Sequence, residues 1–196
     1  MRKVATGFVG VLAIAISGCA TIPQPDDIPD RDDRYTLLKE PLVWKVGRSG
    51  RTITVPAGFV SDYASIPPGV SIFLPKRGRY SRAAIVHDYL YWSQKCSRDQ
   101  ADNLMMIGMK ETDVRSYQRW FIYTGVDWGG ARAWKTNREA RQSGSLRILP
   151  KGRWTEFGNS SWSAYRAQLE SAGVTNAGFS DSGAYCNLGN SRRVPG

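Results

Sequence analysis

Apolar and polar positions divide the chain into stretches of different period. Val4 to Ile16 is a nearly unbroken apolar run between Arg2-Lys3 and Ser17-Gly18-Cys19, too short to cross a bilayer well. Residues 20–34 then place Pro23, Pro25 and Pro29 among five Asp, a composition that keeps a segment extended and solvated. From Tyr35 apolar positions return. Leu42, Val43, Trp44 and Val46, the Gly47 to Gly50 turn, and the alternation of Arg51-Thr52-Ile53-Thr54-Val55 predict a short β-hairpin, which Pro56 ends. Phe59 to Val70, with its Pro pair and small residues, reads as a loop.

Helical spacing follows. Tyr80 to Gln94 lacks Gly and Pro and sets Ala83, Ala84, His87, Leu90, Tyr91 and Gln94 on one face. Ser97 with Gln100 is a capping-box pattern that opens a second helix carrying Ala101, Asp102, Met105, Met106 and Met109. The two predict an antiparallel helical hairpin turning near Lys95 to Ser97. A third helix is expected from Thr112 or Asp113 through Trp120, Phe121 and Tyr123 to Gly125, with Gly129 and Gly130 breaking the pattern. Residues 135–160 show little periodicity, Trp162 to Ala172 fits a short amphipathic helix, and the Gly-, Ser- and Asn-rich end reads as irregular. No internal repeat is present. The expected fold class is α+β, mainly α.

The 196 residues, 22% charged and 41% hydrophobic, exclude a disordered chain and a polytopic membrane protein. The net charge of +10 is uneven: residues 1–34 hold four of the 27 bases and five of the 17 acids, leaving 23 bases, 12 acids and a net +11 beyond them. A basic body attracts anions in general without naming a partner. The N-terminal pattern matches a secretory signal, and Ile16-Ser17-Gly18-Cys19 resembles the lipobox of bacterial lipoproteins. That resemblance implies cleavage before Cys19 and lipidation of its thiol. With Ala20 after it, the resemblance favours the outer membrane, periplasmic face. The implied organisation is a signal peptide at 1–18, a lipidated Cys and acidic tether at 19–34, a core domain at 35–135 and a basic aromatic extension at 136–196. In an oxidising periplasm Cys96 and Cys186, the two remaining thiols, are expected to form a disulfide, two free cysteines being the alternative.

The one His of the chain, His87, sits on the apolar face of a helix, and the Met stripe beside Asp102 turns that carboxylate toward the core as well. A buried Asp requires a partner. His87 lies about eight residues before the turn and Asp102 about six after it, so in an antiparallel pair the two can meet. A carboxylate bound to one imidazole nitrogen fixes the tautomer and leaves the other free to take a proton from water. Asp88, about 100° around the helix, can face a neighbouring loop and, with Asp62, offer oxygen to Ca²⁺.

Val55-Pro56-Ala57-Gly58-Phe59, Asp62-Tyr63-Ala64-Ser65-Ile66-Pro67, His87-Asp88-Tyr89-Leu90-Tyr91 and Asp102 together resemble an uncharacterised family of small phage and bacterial proteins. More distantly, the order DxxSxP, HDxxY and a following Asp is similar to bacterial and fungal secreted phospholipase A2 enzymes. That resemblance implies His87 as base, Asp102 as its orienting partner, Tyr91 as a hydrogen-bond donor to the Asp, and Asp88 and Asp62 as Ca²⁺ ligands. Val86 stands where those enzymes often carry a disulfide Cys, and the animal-type Gly-rich calcium loop is absent. Structural readings stand beside these: a core His–Asp hydrogen bond, a Pro-stabilised turn at Asp62 to Pro68, a core Tyr91 and a core Met stripe.

Seven Trp, among them Trp120, Trp128, Trp134, Trp154 and Trp162, interleave with Arg115, Arg119, Arg132, Arg138 and Arg153. They form either a basic aromatic surface for anionic phospholipid or glycan, or core Trp with a solvated basic face. Secretion argues against nucleic acid. Two functions follow as expectations: a Ca²⁺-dependent lipid ester hydrolase on an outer-membrane lipoprotein, or a non-catalytic envelope lipoprotein of phage or prophage origin that binds a phage or envelope protein, as in superinfection exclusion. A structural lipoprotein contacting peptidoglycan has only the basic charge and the aromatics behind it.

Overall fold

A computed structural model of the chain describes residues 21–63 and 78–196. The lipobox, Cys19 and Ala64 to Pro67 of the motif lie outside these residues. The fold is α+β and mainly α. β1 (Asp27–Pro29), β2 (Thr36–Leu38) and β5 (Val60–Ser61) make an antiparallel sheet in the order β1-β2-β5. β3 (Leu42–Lys45) and β4 (Thr52–Val55) form the expected hairpin, with Trp44 opposite Ile53. Its alternation is clean: Leu42, Trp44, Ile53 and Val55 are buried while Val43 and Lys45 face out.

α1 (Arg79–Ser93) and α2 (Arg98–Glu111) form the helical hairpin. Gln94, in the left-handed region at φ 50°, ends α1, and the Ser97–Gln100 capping box opens α2 with hydrogen bonds of 2.9 and 3.2 Å. α1 is buried on nearly every side, because α2, α3 (Ser116–Gln142), the hairpin and β5 all pack around it. α4 (Trp162–Ser171) closes a second, smaller core in which Leu37 and Val60 meet Leu146, Leu149, Phe157, Trp162 and Leu169. Residue 135 therefore falls inside α3, and the chain beyond it completes a core begun by the N-terminal strands.

Three sequence expectations change. The acidic segment is docked from residue 22 onward: Ile22 is buried in the main core, β1 pairs with β2, and Asp30 is buried. The Asp30 carboxylate accepts from the N–H groups of Arg34 at 2.8 Å, Tyr35 at 3.0 Å and Trp162 at 2.9 Å, so it caps the start of α4. Val60 and Ser61, expected in a loop, form β5. The third helix does not stop at Gly125; it runs through Gly129 and Gly130 to Gln142.

The C-terminal residues are irregular, as expected, but fixed. Cys96 and Cys186 form a disulfide with Cα atoms 5.1 Å apart. On either side of it, Tyr89 donates to Asp181 at 2.9 Å, Asn103 to the Gly189 carbonyl at 2.8 Å and Gln100 to Asn190 at 2.9 Å. The tail is a strap across α1 and α2.

Candidate functional site: a buried His–Asp–Tyr cluster at a cleft

His87 and Tyr91, four residues apart, stand on the same face of α1, with rings 4.1 Å apart. Both reach Asp102 on α2. Nε2 of His87 lies 2.8 Å from Asp102 Oδ1, and the Tyr91 hydroxyl donates to the same oxygen at 2.6 Å. The Arg98 guanidinium, one turn earlier on α2, is 3.7 Å from Oδ2. Asp102, only 4% exposed, thus has donors on one oxygen and a cation beside the other, which offsets its desolvation. Burial and then the Asp102 charge push the Tyr91 phenol above its ordinary range, so it stays a donor. When Nε2 carries the imidazole proton, it donates to Asp102. Nδ1 makes no hydrogen bond to a described residue.

Gly130 explains how α3 reaches this cluster. A methyl at Gly130 would lie 2.6 Å from the Tyr91 hydroxyl and 3.0 Å from Arg98, whereas one at Gly129 would meet nothing within 4 Å. Gly130→Ala is expected to lower the unfolding free energy by about 1–3 kcal/mol, while Gly129→Ala raises it by about 0.5–1 kcal/mol, both read by urea denaturation.

Asp88 faces the opposite way, toward β5. Its carboxyl accepts from the Ser61 hydroxyl and from the Asp62 backbone N–H at 3.1 Å. Arg147 lies 3.3 Å from the Asp62 carboxylate and 5.6 Å from the Phe59 ring centroid. It is placed there by backbone pairing: Val60 N–H donates to the Arg147 carbonyl and Leu149 N–H to the Gly58 carbonyl, each at 2.8 Å. At Gly58, φ is +81° and a Cβ would stand 2.2 Å from the Leu149 carbonyl oxygen, so only glycine permits the contact.

Burial, reinforced by the Asp62 charge, pushes the Asp88 carboxyl well above the usual carboxylate range; Arg147 and the Ser61 hydrogen bond oppose this. Folded protein therefore holds the Asp88 proton at pH values where unfolded protein has released it. Stability from this group is full below the ordinary carboxyl pKa of about 4 and is lost as pH rises through the raised value. In EDTA, wild type is expected to lose stability relative to Asp88→Asn over that window, by at most about 1.4 kcal/mol per pH unit. Urea midpoints of both proteins across pH check it.

A cleft of about 430 Å³ joins these groups. His87, Tyr91 and Trp92 line one wall, Val126 and other residues of α3 the facing one, and Asp62, Asp88, Arg147 and Arg166 the charged end. The cleft pairs an apolar trough with carboxylates and guanidinium groups.

The structure thus brings together His87, Asp102 and Tyr91, and separately Asp88 and Asp62, about one buried helix. Ser61, Arg98 and Arg147 escape sequence reasoning. Ser61 neighbours a motif Asp, which is a usable hint; Arg147 reaches Asp62 from 85 positions away with no local signal. Among the described residues, no group of three His, Cys, Asp or Glu gathers as metal ligands do. No curated protein and no solved structure matches the chain. The comparison that does succeed covers residues 36–126, the span holding Ser61, Asp62, His87, Asp88, Tyr91, Arg98 and Asp102 but not Arg132, Arg147 or Arg166, and this span matches a family described as a protein of unknown function, DUF1353.

Proposed function

We propose that this chain is a lipid-anchored envelope protein whose cleft hydrolyses an ester of an anionic lipid, with His87 as general base. The observation that carries this reading is the 2.8 Å contact between His87 Nε2 and a buried Asp102 that also binds Tyr91, at the wall of a cleft. Asp102 holds the imidazole with its proton on Nε2. Nδ1 takes a proton from water, the hydroxide adds to the ester carbonyl carbon, and the tetrahedral intermediate expels the alcohol oxygen, which receives the proton back from the imidazolium. Ester and water give one acid and one alcohol. The apolar wall accepts an acyl chain, and Arg132, Arg147 and Arg166 attract a phosphate.

Asp62 and Asp88 are the residues that would hold Ca²⁺. Burial, and after it the neighbouring Asp62 charge, makes Asp88 costly to ionise, and a hard dication bound to both carboxylates would offset that cost. When bound, it supplies Lewis-acid stabilisation of the oxyanion. Anchoring through lipidated Cys19, on the periplasmic face of the outer membrane, belongs to the same proposal.

The test is fatty-acid release from phosphatidylglycerol by purified protein with Ca²⁺. Wild type is expected to release acid, and His87→Ala to fall by about 10²–10⁴-fold; equal release by the two refutes the reading. EDTA is expected to lower both the wild-type rate and its Tm, and the Tm response should vanish in Asp88→Asn.

A second reading, a non-catalytic envelope binder of phage or prophage origin, is favoured by burial: His87 is only 4% exposed. It predicts that His87→Ala leaves the phage phenotype intact.

A further inference from the structure

The Trp and Arg residues that the sequence left divided between core and surface separate cleanly in the structure. Trp44, Trp92 and Trp162 are buried, and Trp134 and Trp154 are half-buried. Trp120 and Trp128 are 62% and 87% exposed, and Tyr117 and Phe121 are exposed beside them. All four lie on α3, so most of the large exposed aromatic surface of the described residues stands on one helix.

Their spacing is directional. At about 100° per residue, Tyr117, Trp120, Phe121 and Trp128 fall within an arc of about 100°. Projected further along α3, the same arc or its border carries Arg132, Lys135 and Arg138, all exposed, with Glu139 ion-paired to Lys135 at 3.8 Å. One face of a 27-residue helix is therefore aromatic in its first half and cationic in its second. The opposite face, with Val126 and Ala133, lines the cleft, and Gly125 and Arg132 stand at the seam.

We infer that this face of α3 docks onto the surface of an anionic phospholipid bilayer. Trp, Tyr and Phe rings favour the boundary between headgroups and acyl chains, and the cationic half complements anionic headgroups. The body beyond residue 34 carries a net +11, which draws the whole chain toward the same surface. Docking in this orientation brings Arg132 and the cleft beside it to the lipid. The inference goes beyond hydrolysis and survives its failure, because His87→Ala protein is expected to dock as wild type does.

The test uses the full chain with vesicles of phosphatidylcholine and phosphatidylglycerol whose acyl chains carry bromine, a short-range quencher of indole fluorescence. Quenching of wild type is expected, and its loss in Trp120→Phe with Trp128→Phe, which keeps the other five Trp. Partition of Tyr117→Ser, Trp120→Ser, Phe121→Ser, Trp128→Ser protein should fall by roughly 100-fold. Charge removal by Arg132→Gln, Lys135→Gln and Arg138→Gln should weaken binding to anionic vesicles by a similar factor and leave binding to neutral ones unchanged. Vesicle-bound wild type with unquenched fluorescence overturns the inference. So does a dimer in sedimentation that depends on these aromatics while vesicle binding does not, since a second copy of the chain is then the occupant.

Discussion

Replacing Cys96 and Cys186 with Ser is expected to lower the unfolding free energy by about 4–5 kcal/mol, the loop-closure entropy that a crosslink spanning 90 residues removes from the unfolded chain. That is a large share of the ~5–15 kcal/mol available to a folded domain, and roughly a 10–20 °C fall in Tm. The crosslink has this effect only if the tail unfolds together with the rest. The hydrogen bonds beside it favour that coupling: Asp181 accepts from Tyr89 on α1 and Gly189 from Asn103 on α2, so the strap grips both arms of the helical hairpin. Urea unfolding of oxidised, reduced and doubly substituted protein measures the effect. A change below about 1 kcal/mol would show that the tail detaches independently before the cores open.

Asp102→Asn is the second substitution with a large expected effect, on rate more than on stability. Asn is nearly isosteric; with its carbonyl oxygen toward Arg98, its NH2 takes the place of Oδ1 and donates to Nε2 and to the Tyr91 oxygen, so the cluster keeps its shape. An amide that donates to Nε2, however, moves the imidazole proton to Nδ1, the nitrogen that must take a proton from water. Ester hydrolysis is then expected to drop by about 10²–10⁴-fold with little loss of fold. Tyr91→Phe removes one donor to a carboxylate that keeps His87 and the nearby Arg98, and is expected to cost about tenfold or less. Matched activity and urea measurements separate the two roles. Equal loss of rate and stability in Asp102→Asn would make the contact structural.

Local signals made part of this architecture legible. The Ser97–Gln100 capping box fixes where α2 starts, and the stripe of Met105, Met106 and Met109 sets which way Asp102 turns. Together with the position of His87 they predict the pair that the structure places at 2.8 Å. The misreadings share a physical cause, contacts made between residues distant in sequence. Three glycines in a helix oppose its propensity, by about 1 kcal/mol each, and the Tyr91 hydroxyl and Arg98 pressed against Gly130 explain why glycine stands at that position. The acidic segment looked solvated because the third N–H held by Asp30 belongs to Trp162, 132 positions away. β5 is two residues long, shorter than any alternation can register.

His87 is the only histidine in the chain, so its imidazole nitrogens can be observed without assignment ambiguity. The central claim, a base held by Asp102 with Nδ1 free, makes a direct statement about them. Nitrogen-15 NMR of the full chain at neutral pH is predicted to show a neutral ring with the proton on Nε2 and an unprotonated Nδ1, and Asp102→Asn is predicted to exchange the two. A wild-type ring protonated on Nδ1, or on both nitrogens, would contradict the account.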